Sequence, residues 1–311
     1  IAYIPMIIKS IVIAAIAFFG NQMEGFTAEG FCGSDTVLLD GTPVFSNLVL
    51  AGGQGYVRDW RCWTDQSVLT VSGGMFCHDK SVGKFRTSSV LPTPEFITVA
   101  SDHIGTYVFE GGETWMENPY GQVGLLKLLG GRCVLNSGFW AAKDSTAENP
   151  TVAYMNGGTL VFSSRNYQYW YQFPVETDAF EVQVGAKGGI VDSVDLPSSY
   201  CTDTSELRLN TRFVTAPDCQ ADGGMTFDLR RTGQTLRPYR PFLISGPFTV
   251  RDGRVALDYY SSKWHSDLVT YPSFFGTGDF TLDSSVIVYA DTSSTGTLPE
   301  ESVLKLASGA G

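Results

Sequence analysis

The chain has 311 residues, of which 43% are hydrophobic and 17% charged, and its net charge is −11. This composition excludes an intrinsically disordered chain, because the apolar residues suffice for a large buried core. The acidic balance, with no run of Lys or Arg, also argues against a nucleic-acid partner, because phosphate binding needs a basic patch.

Residues 1–29 are predicted to form a signal peptide or a membrane-anchor segment. Lys9 precedes an uncharged apolar run over Ile11–Phe19, and small residues follow this run. These features are typical of a secretory signal, and the run is shorter than the roughly 20 residues that span a bilayer. A retained anchor and a buried apolar helix are the alternatives. We therefore expect the rest of the chain to be secreted or at the cell surface, with membrane contact only through this segment or an anchor beyond Gly311.

Residues 30–311 are predicted to form an all-β domain. The chain has 34 glycines, and short runs of alternating apolar and polar residues are cut by Gly-Gly, Gly-Thr or Asp-Gly. Alternation of period two is typical of half-buried strands, and glycine pairs allow the positive φ of tight corners. The units of strand and glycine corner are Ser67–Cys77, Tyr107–Trp115, Leu125–Leu135, Asn156–Phe162, Gln183–Val191, Gly223–Asp228, Phe248–Leu257 and Gly278–Leu282.

These units recur at uneven intervals of roughly 20–35 residues, within the range of solenoid repeats. One unit cannot bury its apolar face alone. Stacking places each strand in parallel with the next at about 4.8 Å and joins the inward residues into a continuous column. The pattern therefore predicts a stacked all-β architecture, in which loops of variable length absorb the uneven intervals.

Two stretches, Gly223–Leu236 and Ser245–Leu257, together resemble the autotransporter-associated β-strand repeat. Asn156–Phe162 is similar to the tail of that repeat, and Glu301–Gly311 to the opening of a further copy. The resemblance implies a right-handed parallel β-helix in a bacterial exported protein, placed outside the outer membrane. Passengers of this family are poor in cysteine, whereas this chain has six. Because the chain ends within a repeat, the β-helix domain over residues 30–311 is predicted to be truncated at its C-terminus.

The six cysteines are Cys32, Cys62, Cys77, Cys133, Cys201 and Cys219, and none forms a Cys-x-x-Cys pair. Zinc ribbons and thioredoxin chemistry are therefore not predicted. An even number of cysteines on a chain with an export signal favours disulfides. By spacing, Cys62 with Cys77 and Cys201 with Cys219 are the simplest pairs, although six cysteines allow about fifteen arrangements.

The densest aromatic run is the first candidate for binding. It contains Tyr167, Tyr169, Trp170 and Tyr171, and the three tyrosines alternate onto one face of an extended segment. An exposed aromatic face would bind sugars or another protein. The alternative interpretation is a core stack or a folded-over loop.

A cluster of arginines is the second candidate for binding. Its members are Arg230, Arg231, Arg237, Arg240, Arg251 and Arg254. On one face of a solenoid, Arg237 and Arg240 would meet an anionic glycan or a lipid head group. The favoured alternative is that these arginines pair with the carboxylates of this acidic chain itself.

No catalytic residue, metal site or cofactor is predicted. His78, His103 and His265 lie far apart along a stack, so they are not expected to form a triad or a metal site. The polysaccharide lyases and hydrolases that use β-helices need clustered carboxylates on adjacent turns. The candidate acids are Asp192 with Asp195, Asp252 with Asp258, and Asp279 with Asp283. Outward polar positions of alternating strands are the simpler interpretation of these acids.

The sequence therefore predicts a non-enzymatic secreted or cell-surface β-helix that acts as an adhesin, stalk or display scaffold. Glycans or other surface proteins are its expected partners. One alternative is a carbohydrate-active enzyme on the same scaffold, which acids gathered in one groove would favour. A second alternative is a structural subunit of a filament or viral tail spike, which a trimeric or helical assembly would favour.

Overall fold

A computed structural model describes parts of the chain from Thr27 onward. The described residues are 27–31, 36–39, 44–45, 47–50, 54–57, 59–62, 68–79, 94–95, 97–99, 105–117, 123–136, 145–163, 179–192, 206–209, 211–229, 235–238, 242–257, 275–289 and 304–306. The predicted signal or anchor segment thus lies outside the described residues, except for Thr27–Glu29, which belong to the first strand.

The described residues form 28 strands and no helix. In chain order the strands are β1 (Thr27–Phe31), β2 (Thr36–Leu39), β3 (Val44–Phe45), β4 (Asn47–Leu50), β5 (Gln54–Val57), β6 (Asp59–Cys62), β7 (Val68–Val71), β8 (Met75–Asp79), β9 (Pro94–Glu95), β10 (Ile97–Val99), β11 (Gly105–Phe109), β12 (Glu113–Glu117), β13 (Val123–Leu128), β14 (Arg132–Asn136), β15 (Thr151–Met155), β16 (Thr159–Ser163), β17 (Phe180–Val184), β18 (Gly189–Asp192), β19 (Glu206–Leu209), β20 (Arg212–Thr215), β21 (Met225–Asp228), β22 (Thr235–Pro238), β23 (Phe242–Leu243), β24 (Phe248–Arg251), β25 (Arg254–Leu257), β26 (Phe280–Asp283), β27 (Val286–Tyr289) and β28 (Leu304–Leu306). Accordingly, this part of the chain has no helix that is long and apolar enough to cross a membrane. The predicted all-β class is confirmed for the described residues.

The strands build three sheets. The first sheet has nine strands in the order β1-β4-β7-β11-β13-β15-β17-β20-β23. The second sheet has fifteen strands, with a main path β2-β5-β8-β12-β14-β16-β18-β21-β24-β26-β28 and with β3, β6, β9 and β10 paired beside that path. The third sheet has four strands in the order β19-β22-β25-β27. Among the described strands, β8 and β9 run antiparallel, and the other pairs are parallel.

The chain adds strands to these sheets in turn. Strands β11, β13, β15 and β17 join the first sheet, and the strand that follows each of them joins the second sheet. From β19 onward the third sheet takes part as well, because β22 follows β21, β25 follows β24 and β27 follows β26. From β11 to β25, each strand that extends a sheet pairs in parallel with the strand that the chain last added to that sheet.

Apolar side chains fill the space between the sheets. Because successive strand residues alternate between faces, every second register position of a sheet lies on its inner face. The inner positions that are at most 2% exposed include Leu69, Tyr107, Leu126, Ala153, Val182, Phe213 and Phe242 in the first sheet and Cys133, Leu160, Val191, Phe227, Val250 and Leu282 in the second. Burying one large apolar side chain contributes about 1.5–3 kcal/mol, so this continuous core is the main stabilising feature of the stack.

Short glycine corners join the first sheet to the second. Gly131, between β13 and β14, has a φ of 68°. A Cβ atom there would lie 2.5 Å from the carbonyl carbon of Gly111 and 2.6 Å from the oxygen of Gly112. The backbone of each corner thus packs directly on the previous corner, and only glycine satisfies both the left-handed φ and this close approach.

Candidate functional site

The predicted binding residues fall mostly outside the described residues. Those that the structure does not describe are Tyr167, Tyr169, Trp170, Tyr171 and Arg240, and their role stays a prediction. Arg237 lies on β22 of the third sheet, where its register partner is Arg208 of β19.

Arg208, Arg237 and Arg254 lie on three neighbouring strands of the third sheet, and we name them the arginine row. Arg254 is the register partner of Thr235, two residues before Arg237 on β22. The side chain of Arg254 is exposed. Two steps of about 4.8 Å between strands, together with the two-residue offset of Arg254 along the strand direction, give the row a length of about 12 Å. Sequence spacing gave no sign that Arg208 belongs to this group, since only the strand register brings it beside Arg237.

Other arginines meet a carboxylate at their register position. The pairs, with their nitrogen-to-oxygen distances, are Arg132–Glu113 at 3.2 Å, Arg212–Glu181 at 3.7 Å and Arg251–Asp283 at 3.7 Å. In each pair the two residues are direct partners on adjacent parallel strands. For Arg251, the interpretation that arginines pair with the chain's own carboxylates is therefore confirmed.

Two carboxylates lie side by side on the second sheet. Asp192 of β18 is the register partner of Asp228 of β21. Arg132 places its Nη2 atom 3.9 Å from Oδ2 of Asp192. Asp195, which the sequence groups with Asp192 as a candidate acid, lies outside the described residues. Because Asp192 is only 3% exposed and Asp228 only 8% exposed, these acids do not line an open groove for a polymer substrate.

The remaining described candidate acids lie at either end of β26 and at the corner after β24. Asp258 lies outside the described residues, and Asp252 is exposed at the corner between β24 and β25 with a φ of 57°. Asp279 directly precedes β26, whereas Asp283 ends that strand and pairs with Arg251. The amide of Asp252 donates to the carbonyl oxygen of Asp283 at 3.0 Å, so these two residues are neighbours on successive layers, whereas Asp279 lies at the other end of β26.

The carboxylate of Asp222 is enclosed at the corner between β20 and β21. Its Oδ1 atom accepts hydrogen bonds from the amides of Gly224 and Gly246, each at 2.8 Å. Its Oδ2 atom accepts from the Ser245 amide at 2.7 Å, from the Ser245 hydroxyl at 3.1 Å and from the Thr215 hydroxyl. Two successive corners and the end of a first-sheet strand are therefore held together by one side chain.

The hydrogen bonds to Asp222 also set its protonation. Burial alone would raise the pKa of this carboxyl, but the bonds from Thr215, Ser245, Gly224 and Gly246 outweigh burial and lower the pKa below its ordinary value. The carboxylate is thus charged at neutral pH and faces donors on both oxygens. Such a group fixes the backbone and has no acceptor site open to a substrate, so its role is structural.

A second polar cluster lies on the outside of the same corner. Asp218 accepts hydrogen bonds from the Tyr154 hydroxyl at 3.4 Å and from the Cys219 thiol at 3.6 Å. Burial, followed by the negative charge of Asp218, raises the pKa of both Tyr154 and Cys219. Without a disulfide, as in this structure, the Cys219 thiol stays protonated at neutral pH and is a weak nucleophile. Cys201 lies outside the described residues, and its pairing with Cys219 stays a prediction.

The other cysteines lie at separate register positions. Cys62 is opposite Phe45, and Cys77 is opposite Tyr56, so the described strands do not place these two cysteines opposite each other. Their pairing stays a prediction. Cys133 is a free thiol in the core, where burial raises its pKa strongly and keeps it unreactive.

Neither the comparisons with known proteins nor the described histidine, cysteine and acidic residues assign a function to the chain. His78 lies on β8 opposite Glu95, while His103 and His265 are not described. Within the described ranges, no group of three or more His, Cys, Asp or Glu side chains is arranged to hold a metal ion. Comparison of the chain with models of protein families, with curated proteins and with solved structures finds no match.

Proposed function

We propose that the chain is a right-handed parallel β-helix, secreted or exposed at the cell surface, that acts as an adhesin, stalk or display scaffold. The observation that carries this proposal is the order of strands in the sheets. From β11 onward, successive described strands join different sheets, and within each sheet these strands pair in parallel. A right-handed path agrees with the strong preference of parallel strand connections for that hand.

The stretch that resembles the autotransporter-associated repeat supports this architecture. Gly223 and Gly224 precede β21, and the same stretch continues through β22, β24 and β25. Strands β21 and β24 are partners in the second sheet, while β22 and β25 are partners in the third. This one stretch thus supplies two successive layers of two sheets, which is how a β-helix repeat builds its stack.

The length of the stack favours a scaffold role. The main path of the second sheet has eleven strands. At about 4.8 Å for each step between strands, this path extends over about 48 Å. Parallel sheets of this length offer continuous lateral surfaces on which ligands or neighbouring molecules bind side by side.

The outer face of the first sheet is one such surface. One row of its register positions consists of Val49, Thr70, Val108, Lys127, Tyr154, Gln183, Val214 and Leu243. These side chains are exposed or half-buried, and they mix apolar, polar and charged groups. A flat surface of mixed character suits contact with glycans or proteins.

An adhesion assay tests the proposed function. Beads coated with the purified chain are mixed with cells that differ in surface glycans, and retained beads are counted after washing. We expect severalfold more retention than with beads carrying the same chain after irreversible unfolding, because that control keeps composition and charge but loses the lateral surfaces. Equal retention of the two kinds of beads on every cell type would contradict the proposal.

A further inference from the structure

Half-buried aliphatic side chains recur along the outer face of the first sheet from β7 to β23. They lie on six of these seven strands and are Val68, Val108, Leu125, Val152, Val214 and Leu243. Tyr154 lies on the same face as Val152, two residues further along β15. An apolar surface of this kind marks a contact site for another molecule.

The same face carries little charge, although the chain is acidic. Its charged residues, among the described positions from β7 to β23, are Lys127, Glu181 and Arg212. They give the face a net charge of 2 − 1 = +1, whereas the whole chain carries −11. Two copies of an acidic chain repel each other, so they approach most easily through a face that lacks the acidic excess. A second copy of this chain is therefore a partner that the face fits.

We propose that the chain forms a symmetric dimer in which the outer faces of two first sheets pack against each other. The two-fold axis runs parallel to the strands and passes through β15, so the two stacks run in opposite directions. Strand β15 then faces β15 of the second copy, β13 faces β17, and β11 faces β20. The inference uses only the parallel first sheet, and it goes beyond the proposed function.

The charged residues select this axis. With β13 facing β17, Lys127 lies opposite Gln183 of the second copy and close to its Glu181, so two symmetric ion pairs cross the interface. An axis through β13, the middle strand of the sheet, would set Lys127 against Lys127 of the second copy. An axis along the stack would bury Lys127 over Leu125 of the second copy. Both alternatives are unfavourable, because one brings like charges together and the other desolvates a charge without a partner.

The chosen axis also brings apolar groups together. Val152 meets Val152 of the second copy, and Val108 meets Val214 of the second copy. Seven strands of about four residues project over about 34 Å by about 14 Å, so two such faces bury about 1,000 Å² in total. This area lies at the low end of specific interfaces, and it predicts a dimer that dissociates in the micromolar range.

Sedimentation velocity of the full chain, from about 0.1 μM to about 100 μM, tests this inference. We expect an equilibrium of monomer and dimer. Val152→Glu places a charge at the two-fold axis and should weaken the dimer at least about tenfold. Ile190→Glu is the matched control, because it adds the same charge at a 38% exposed aliphatic position on the second sheet, and it should change dimerisation less than about twofold.

Charge reversal tests the antiparallel arrangement of the two stacks. Lys127→Glu places a carboxylate beside Glu181 of the second copy, and Gln183→Lys places an ammonium group opposite Lys127 of the second copy. Each single substitution should weaken the dimer severalfold, and K127E/Q183K should restore it to within about threefold of the native chain. Because β15 separates the two positions within one chain, a folding defect in a single variant would not be repaired in this way. Thermal unfolding at the lowest concentration checks that each variant folds.

Several results would overturn the inference. They are a chain that stays monomeric throughout, a trimer or larger assembly, equal weakening by Val152→Glu and Ile190→Glu, and a double variant as weak as the single ones. A monomeric chain whose bead retention is lost in Val152→Glu would assign this face to a ligand on the cell instead. If the chain is monomeric and its beads are still retained on cells, this inference alone fails and the proposed function stands.

Discussion

The carboxylate of Asp222 accepts five hydrogen bonds. Its five donors come from Thr215, Ser245, Gly224 and Gly246, which belong to two successive corners. Charged hydrogen bonds of this kind are stronger than neutral ones, and buried donors left without an acceptor are costly. The stability of the corner should therefore depend on this one side chain.

Asp222→Asn should lower the free energy of unfolding by about 3 kcal/mol at pH 7. The new amide would direct its own donors at the Ser245 amide or the Thr215 hydroxyl, so at least one buried donor would lose its acceptor. Urea unfolding followed by circular dichroism measures the loss. The matched control is Asp218→Asn in the same corner, where the side chain is exposed and the expected change is under about 0.5 kcal/mol. Equal changes in the two variants would contradict the structural role of Asp222.

The loss of stability in Asp222→Asn should depend on pH, because the Asp222 carboxylate titrates. The pKa of Asp222 is lowered in the folded chain, so its charged form contributes stability that is fully present above the unfolded pKa of about 3.9. That contribution is lost as the pH falls through the lower folded pKa. Unfolding midpoints of the native chain and of Asp222→Asn should therefore converge below pH 4, and a constant gap down to pH 2 would argue against the assigned cause.

At the residue scale, the sequence alone could not reveal this enclosure. Ser245 lies 23 residues from Asp222 and Thr215 lies 7 residues away, and no motif links three such common residues. They meet because the corner of one layer stacks on the corner of the next. For the same reason, the sequence groups Asp192 only with the nearby Asp195, whereas the strand register places Asp228 beside Asp192.

At the scale of elements, the glycine corners are the feature that the sequence predicted best. Gly130–Gly131 and Gly111–Gly112 were both expected at corners, and both lie between a first-sheet strand and a second-sheet strand. A glycine pair is visible in sequence because its backbone requirement is local. Direct packing of one corner on the next adds a second requirement, which only the structure shows.

Gly131→Ala should lower the free energy of unfolding by more than the cost of holding an alanine in a left-handed backbone conformation. That cost is about 1–2 kcal/mol, and the contacts of the new Cβ with the backbone of Gly111 and Gly112 add to it. Thermal unfolding measures the loss. Glu110→Ala, at an exposed position of the neighbouring corner, is the control and should be nearly neutral. Equal melting temperatures of the two variants would show that the corners are not packed as described.

The third sheet shows where element prediction from sequence fails. Its first strand, β19 (Glu206–Leu209), follows no glycine pair, and the alternation of four residues does not say which strands it pairs with. The Asp252–Gly253 corner has the same sequence character as the other corners, yet it joins β24 to β25 in the third sheet. Sheet membership depends on register between distant strands, and a local pattern carries no information about it.

At the scale of the whole molecule, the distance between two residues of one sheet depends on the number of steps between their strands. It does not depend on how far apart the residues are in the sequence. The residues Thr70, Lys127, Gln183 and Leu243 lie in one outer row of the first sheet. Four steps between strands separate Thr70 from Gln183, and six separate Thr70 from Leu243. Each step adds about 4.8 Å, so the backbone separations should be about 19 Å and 29 Å.

Spin labels at pairs of these positions test that expectation by double electron–electron resonance. Lys127 and Leu243 are also four steps apart, so this pair should give the same distance as Thr70 with Gln183, although its residues and its place in the chain are different. The labels sit on half-buried side chains of the outer face, so they do not disturb the core. Two equal distances and a third about 10 Å longer are expected from a continuous stack. Unequal four-step distances, or a six-step distance no longer than the others, would refute the parallel β-helix and with it the scaffold role.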